Sequence, residues 1–163
     1  MKPFAAFAAL TIAVAVSIAP ALARSTYVID DAHMLSSAAI SQIDSQVSQL
    51  NADTGKEVVV VTTPSLNGQT AAAAAERAFA QNQVNGVEIF IAKQDKKIEI
   101  LGDRASRQFF PSGSFQNIYQ AMRASFNSGN VDQGVETAVG LIVNTYRGHE
   151  SSLRNRRVPA GTT

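Results

Sequence analysis

Asp30-Asp31 is the polar pair in this sequence best placed to do chemistry. It follows a short extended segment, Ser25 to Ile29, and precedes a helix start, where acidic groups are favoured by the helix dipole. A hard cation such as Ca2+ takes several oxygen ligands, carboxylates and carbonyls together. Asp103, after the third strand, is the partner the sequence offers, because ligands of open α/β sheets gather at strand ends. The expectation is a site of Asp30, Asp31 and Asp103, formed if the first and third strands end at the same sheet edge. Ser65, Asn67 and Gly68 trail the central strand, and Asn85 sits in the turn before the next one. These four are the expected binding residues at the rim. Each also has a plainer reading as a turn or cap residue.

Other catalytic chemistries find little support. The chain has no cysteine, which excludes a thiol nucleophile, a disulfide framework and a Cys-based zinc site. No GxSxG, HExxH, P-loop or GxGxxG occurs. Of the two histidines, His149 falls in the tail, so a Ser-His-Asp triad would have to use His33, and no serine sits in an elbow context. A formal net charge of +1 makes no electrostatic case for nucleic acid.

The elements that must position these residues begin after a leader. Lys2, the uncharged apolar stretch Phe4 to Ile18, then Pro20 and Ala21-Leu22-Ala23 read as a secretory signal peptide over residues 1–23. Its removal leaves about 140 of the 163 residues, enough for one domain with a real core. No second long apolar run exists, so no spanning helix is expected after cleavage. The expected location is periplasmic or secreted. A disulfide-free core of this size suits that compartment.

Thr54 to Gly68 organises the rest. Val58 to Val61 is an unbroken β-branched run between a Gly turn and Pro64, the pattern of a strand buried on both faces. That requires helices above and below it. Ser36 or Ser37 caps a first helix carrying Ile40, Ile43, Val47 and Leu50, which Gly55 ends. Thr70 caps an Ala-rich helix to about Gln81. Asn85-Gly86 turns into a second strand, Val87 to Ala92, parallel to the first through a βαβ unit. Lys97 to Gly102 follows as an antiparallel hairpin partner near the edge. Ser114 is expected to cap a helix ended by Gly129, and Asn130 or Asp132 opens the last, closed by Gly148. The expected architecture is a three-layer αβα sandwich around a small mixed sheet over residues 24–148. A disordered basic tail, 149–163, carries arginines suited to an anionic surface or to solubility.

These motifs, in this order, resemble the TPM domain family of thylakoid acid phosphatase-like and photosystem II repair-type proteins. The family's opening Y-V-x-D-x-A-x-x-L-S is similar to Tyr27-Val28-Ile29-Asp30-Asp31-Ala32-His33-Met34-Leu35-Ser36. Its T-G, hydrophobic strand and S-L-x-G are similar to Thr54-Gly55 through Ser65-Leu66-Asn67-Gly68. Asn85-Gly86-Val87 and the hairpin Asp95 to Gly102 complete the match, from Tyr27 to Arg147. The resemblance implies an exported αβα sandwich, with members often tethered by a C-terminal helix and some binding calcium or showing acid phosphatase activity. Asp30 carries over from the motif. After the hairpin the family usually shows G-x-G-x-E and a loop Asp, whereas Gly102-Asp103-Arg104-Ala105-Ser106 has one Gly and no Glu. The expected function is therefore an exported interaction or accessory domain, non-enzymatic or weakly active, assisting envelope or membrane protein complexes. A metal-assisted acid phosphatase is the alternative, and a calcium-binding module without catalysis is the third.

Overall fold

The structure, a computed structural model, describes residues 24–157. The expected signal peptide and residues 158–163 lie outside the described residues.

The fold centres on β2 (Glu57–Thr63). Its sequence EVVVVTT has no polar alternation, so both faces need cover. Val58, Val59 and Val60 are fully buried, each worth roughly 1.5–3 kcal/mol of apolar transfer. β2 lies between β1 (Val28–Asp30) and β3 (Gly86–Ala92), parallel to both. β4 (Lys97–Gly102) adds antiparallel to β3, which makes a four-stranded mixed sheet in the order β1-β2-β3-β4.

Helices make the parallel crossovers, α1 (Ser37–Thr54) from β1 to β2 and α2 (Ala71–Gln81) from β2 to β3. Their ends follow their sequence signals. The Ser36 hydroxyl accepts the Ala39 N–H, the Thr70 hydroxyl accepts the Ala73 N–H, and Gly55 at φ 75° ends α1 in the left-handed region that favours glycine. After β4 come a 3-10 turn (Ser106–Gln108), α3 (Ser114–Asn127), α4 (Val131–Gly148) and α5 (Glu150–Arg157).

Alternation along the strands sorts the core into two halves. Val58, Val60, Val87, Ile89 and Ile91 face a large cluster with Ile43, Val47 and Leu50 of α1, Ile118 and Met122 of α3, and Val139 and Ile142 of α4. Val59, Val61, Phe90 and Ala92 face α2, meeting Ala75 and Ala78. This is the expected αβα sandwich, with the alanine run of α2 letting that helix lie close on the sheet.

Gly86 is needed for strand packing as well as for its turn. A Cβ there would lie 2.0 Å from the Glu57 carbonyl oxygen of the neighbouring strand.

Two expectations are corrected. Ser114 does not cap α3: Gly113, at φ 89°, holds the cap position without a side-chain hydrogen bond, and Ser114 is the first helical residue. The tail is not disordered from His149, because Glu150–Arg157 forms a helix. Its single apolar residue, Leu153, is buried in the main core, Glu150 pairs with Arg154 one turn on, and the His149 ring lies 5.1 Å from that of Phe109. One docked leucine produces no periodicity to read.

Candidate functional site

The expected site residues divide between the two ends of the sheet. At the C-terminal end of the parallel strands, Asp30 ends β1 beside Thr62 of β2. Its carboxylate accepts the Thr62 hydroxyl at 2.5 Å and the N–H groups of Met34 and Leu35 at 3.0 and 2.9 Å. The Thr62 hydroxyl in turn accepts the Ala32 N–H at 3.1 Å. Burial raises the carboxyl's pKa, but the Thr62 hydroxyl, the Met34 and Leu35 N–H groups and nearby His33 outweigh it, and Asp30 sits below the ordinary carboxylate range. Asp30 thus acts as the anchor of the β1–α1 loop. Asp31 beside it is exposed.

The Ser65–Gly68 loop is at this same end. It is tied to the β3–β4 hairpin by the Leu66 N–H, which donates to Asp95 at 2.8 Å. Lys93 spans the end of the sheet, donating to the Ala32 carbonyl at 2.9 Å. Asn67, at φ 49°, and Gly68, at φ 82°, form the turn. Alongside, a recess of about 600 Å3 opens between His33–Ser36 and Gly129–Gln133. Asp132 crosses it to accept the Ser36 N–H at 3.0 Å, joining the start of α4 to the start of α1.

Asp103 and Asn85 lie at the other end, which corrects the expected convergence. The β3–β4 hairpin reverses direction, so the end of β4 returns beside the start of β3: Val87 pairs with Gly102, and the Asp103 N–H donates to the Gly86 carbonyl at 2.8 Å. β1 and β4 also occupy opposite edges of the sheet. Asp30 and Asp103 therefore do not share a site. Among the described residues no group of three or more His, Cys, Asp or Glu could hold a metal ion.

At this second end the polar groups form a network. The Lys56 ammonium donates to Asp103 at 2.6 Å and to the Asn85 side-chain carbonyl at 2.9 Å. Asp103 accepts the Ser106 N–H and hydroxyl, and the Ser106 hydroxyl lies 2.5 Å from the Tyr146 hydroxyl. Burial raises the Asp103 carboxyl, yet Lys56 and Ser106 bring it below its usual range. Burial pushes the Tyr146 phenol well up. Arg24 grips Glu57 with two nitrogens at 2.9 and 3.0 Å and also donates to the Asn82 carbonyl. Glu57 accepts the Asn85 N–H at 2.9 Å. Sequence reasoning missed Lys56, Ser106 and Tyr146; Lys56 meets Asp103, and Ser106 meets Tyr146, only across long stretches of chain.

It also missed Glu88. This carboxyl points from β3 to the α2 side and is fully buried, with neither oxygen in a hydrogen bond among the described residues. Burial raises it to about 7, while the nearby Asn82 amide and Arg24 charge pull it back down without closing a hydrogen bond on it. A glutamate inside the apolar run Val87 to Ala92 was the available signal.

Solved structures of the same fold include the following three. The N-terminal domain of a P. gingivalis protein is 20% identical with a TM-score of 0.68, over 79% of this chain and 85% of that one. The BA42 protein from the psychrophilic bacterium Bizionia argentinensis is 18% identical with a TM-score of 0.61, over 71% and 83%. The N-terminal domain of a Corynebacterium glutamicum protein is 15% identical with a TM-score of 0.63, over 80% and 86%. No curated protein matches the sequence significantly. The family model described as the TPM domain matches residues 28–145.

Proposed function

The chain belongs to the TPM domain family, and on that premise we propose that it is an exported interaction or accessory domain, non-enzymatic or weakly active, assisting envelope or membrane protein complexes. One observation carries this reading: the acidic residues best suited to chemistry are already bonded to the fold. Asp30 holds a hydroxyl and two N–H groups of its own loop, and Asp103 holds Lys56 and Ser106 at the far end of the sheet. Two-metal phosphoryl transfer needs a dense set of free ligands around both ions.

The leader-like residues 1–23 support a periplasmic or secreted location after cleavage. Among the described residues no helix is long and apolar enough to cross a membrane. The Ser65–Gly68 loop is the proposed rim of the working surface.

The test is an assay of the purified protein with p-nitrophenyl phosphate, with and without Ca2+ or Mg2+. Absence of turnover, with unchanged partner function in Asp30→Ala and Asp103→Ala variants that still fold, agrees with the proposal. Turnover abolished by Asp30→Ala establishes the phosphatase instead. A Ca2+-dependent rise in melting temperature without turnover points to the calcium-binding module.

A further inference from the structure

β4 forms one edge of the sheet, and among the described residues no strand pairs beyond it. The hydrogen-bond phase of the ladder shows which of its groups are free. Glu57 donates to the Asn85 carbonyl at 3.2 Å and Lys93 donates to the Thr63 carbonyl at 3.0 Å, so odd-numbered residues of β3 turn toward β2. The Asp103 N–H donates to the Gly86 carbonyl, so even-numbered residues of β3 turn toward β4. Bonded and non-bonded pairs alternate along an antiparallel ladder. In the observed register Lys97, Glu99 and Leu101 therefore bond inward to β3. Ile98, Ile100 and Gly102 turn their N–H and C=O groups outward.

Two of these residues, Ile98 and Ile100, line a groove of about 530 Å3 between β4 and α3, together with Phe115 and Tyr119 of α3 and with Lys96 and Lys97 at the start of the strand. Both lysines are exposed, and neither ammonium has a hydrogen-bond or ion-pair partner among the described residues. Glu99 is the single acidic residue of the lining and falls further along, in register with Phe90 on the α2 side.

We propose that this edge takes up an extended peptide strand from a partner protein, added antiparallel to β4, with an acidic C-terminal end against Lys96 and Lys97. Strand addition draws affinity from main-chain hydrogen bonds and specificity from pockets that read alternate side chains. The three outward residues supply the first, and the half-buried Ile98, Ile100, Phe115 and Tyr119 supply the second. The charge decides the occupant. Edge lysines discourage indiscriminate edge pairing, and the same two charges complement an acidic strand. This rests on the reading as an interaction domain and names its surface and partner chemistry.

The test titrates the whole 15N-labelled protein with a synthetic peptide of about seven residues, alternating valine and threonine and ending in two aspartates. The same peptide ending in two lysines is the control. Expected are shifts at the Ile98, Ile100 and Gly102 amides, slower hydrogen exchange at those three, and roughly tenfold weaker binding of the control. Ile100→Pro removes an outward N–H and no ladder bond, a change edge strands tolerate, and should abolish binding. Because the Ile100 side chain is partly buried, Lys96→Glu with Lys97→Glu is the second variant, expected to reverse the preference between the two peptides. Shifts confined to other elements, equal binding of both peptides, or self-association through this edge would overturn the proposal. Phosphomonoester turnover would sink the accessory reading and leave the groove standing, whereas silence at β4 sinks this inference alone.

Discussion

The Lys56 ammonium and the Asp103 carboxylate meet at 2.6 Å across the N-terminal end of the sheet, with side chains only 10% and 18% exposed. The contact joins the entry to the central strand with the exit from the edge strand. Through Ser106 it reaches the buried hydroxyl of Tyr146 on α4, so one polar chain holds the sheet against its largest helical layer.

Asp103→Ala leaves the Lys56 charge buried without its partner and is expected to cost about 3 kcal/mol. A urea titration checks this as a lowered midpoint at unchanged slope. Replacing both, Lys56→Met with Asp103→Leu, should recover most of the loss, since an apolar pair of similar volume removes the desolvation cost. The folded carboxyl titrates below its ordinary value. Its contribution is therefore complete at neutral pH and is lost as pH falls through that lowered folded value.

Asp30→Ala should cost about 1–3 kcal/mol, because the Met34 and Leu35 N–H groups lose their acceptor. Asp30→Asn keeps one acceptor and should cost less. The local signature is faster amide exchange at Met34 and Leu35, with β4 amides unchanged. A protein whose β1–α1 amides exchange as in wild type would show that Asp30 is not the anchor of its loop.

Glu88 makes the opposite pH prediction. Its folded carboxyl is raised to about 7, above its unfolded value. The protein therefore gains from proton uptake at low pH, and this gain disappears as pH rises from the unfolded value through about 7. Glu88→Leu should raise stability at pH 8 by about 2 kcal/mol and flatten the decline between pH 5 and 8. Unfolding curves of both proteins across that range decide it. A wild type that is flat there contradicts the unpartnered burial of this side chain.

Leu153→Ala tests α5. Removing a leucine only 5% exposed should cost about 2–3 kcal/mol and bring proteolytic cleavage into Glu150–Arg157. An unstructured tail would respond to neither measurement.

Much of the fold is legible in local chemistry. Ser36, Gly55 and Thr70 mark helix ends by capping reactions completed within a few residues. Val58 to Val61 marks a two-sided strand because no polar residue interrupts it. The candidate site was less legible. Asp30 reads as a ligand or as a loop anchor equally well, and its anchoring depends on Thr62, which a whole helix separates from it in sequence. Asp103 reads as a strand-end carboxylate, and the antiparallel hairpin legible before it already sends that strand end away from the close of β3; only the structure shows that it meets Lys56 there.

By itself, the sequence determined the order and type of the elements, the two-sided burial of the central strand and membership of the family, because periodicity, capping and turn residues act over short spans and are written in order. Tertiary structure alone decided which polar residues meet. The antiparallel return of β4 carries Asp103 away from Asp30 and onto Lys56, and turns the N–H and C=O groups of Ile98, Ile100 and Gly102 outward, while Glu88 is buried without a hydrogen-bond partner among the described residues. The choice of polar neighbours arises from packing the two faces of the sheet, a balance struck among residues far apart in the chain and visible in none of them singly.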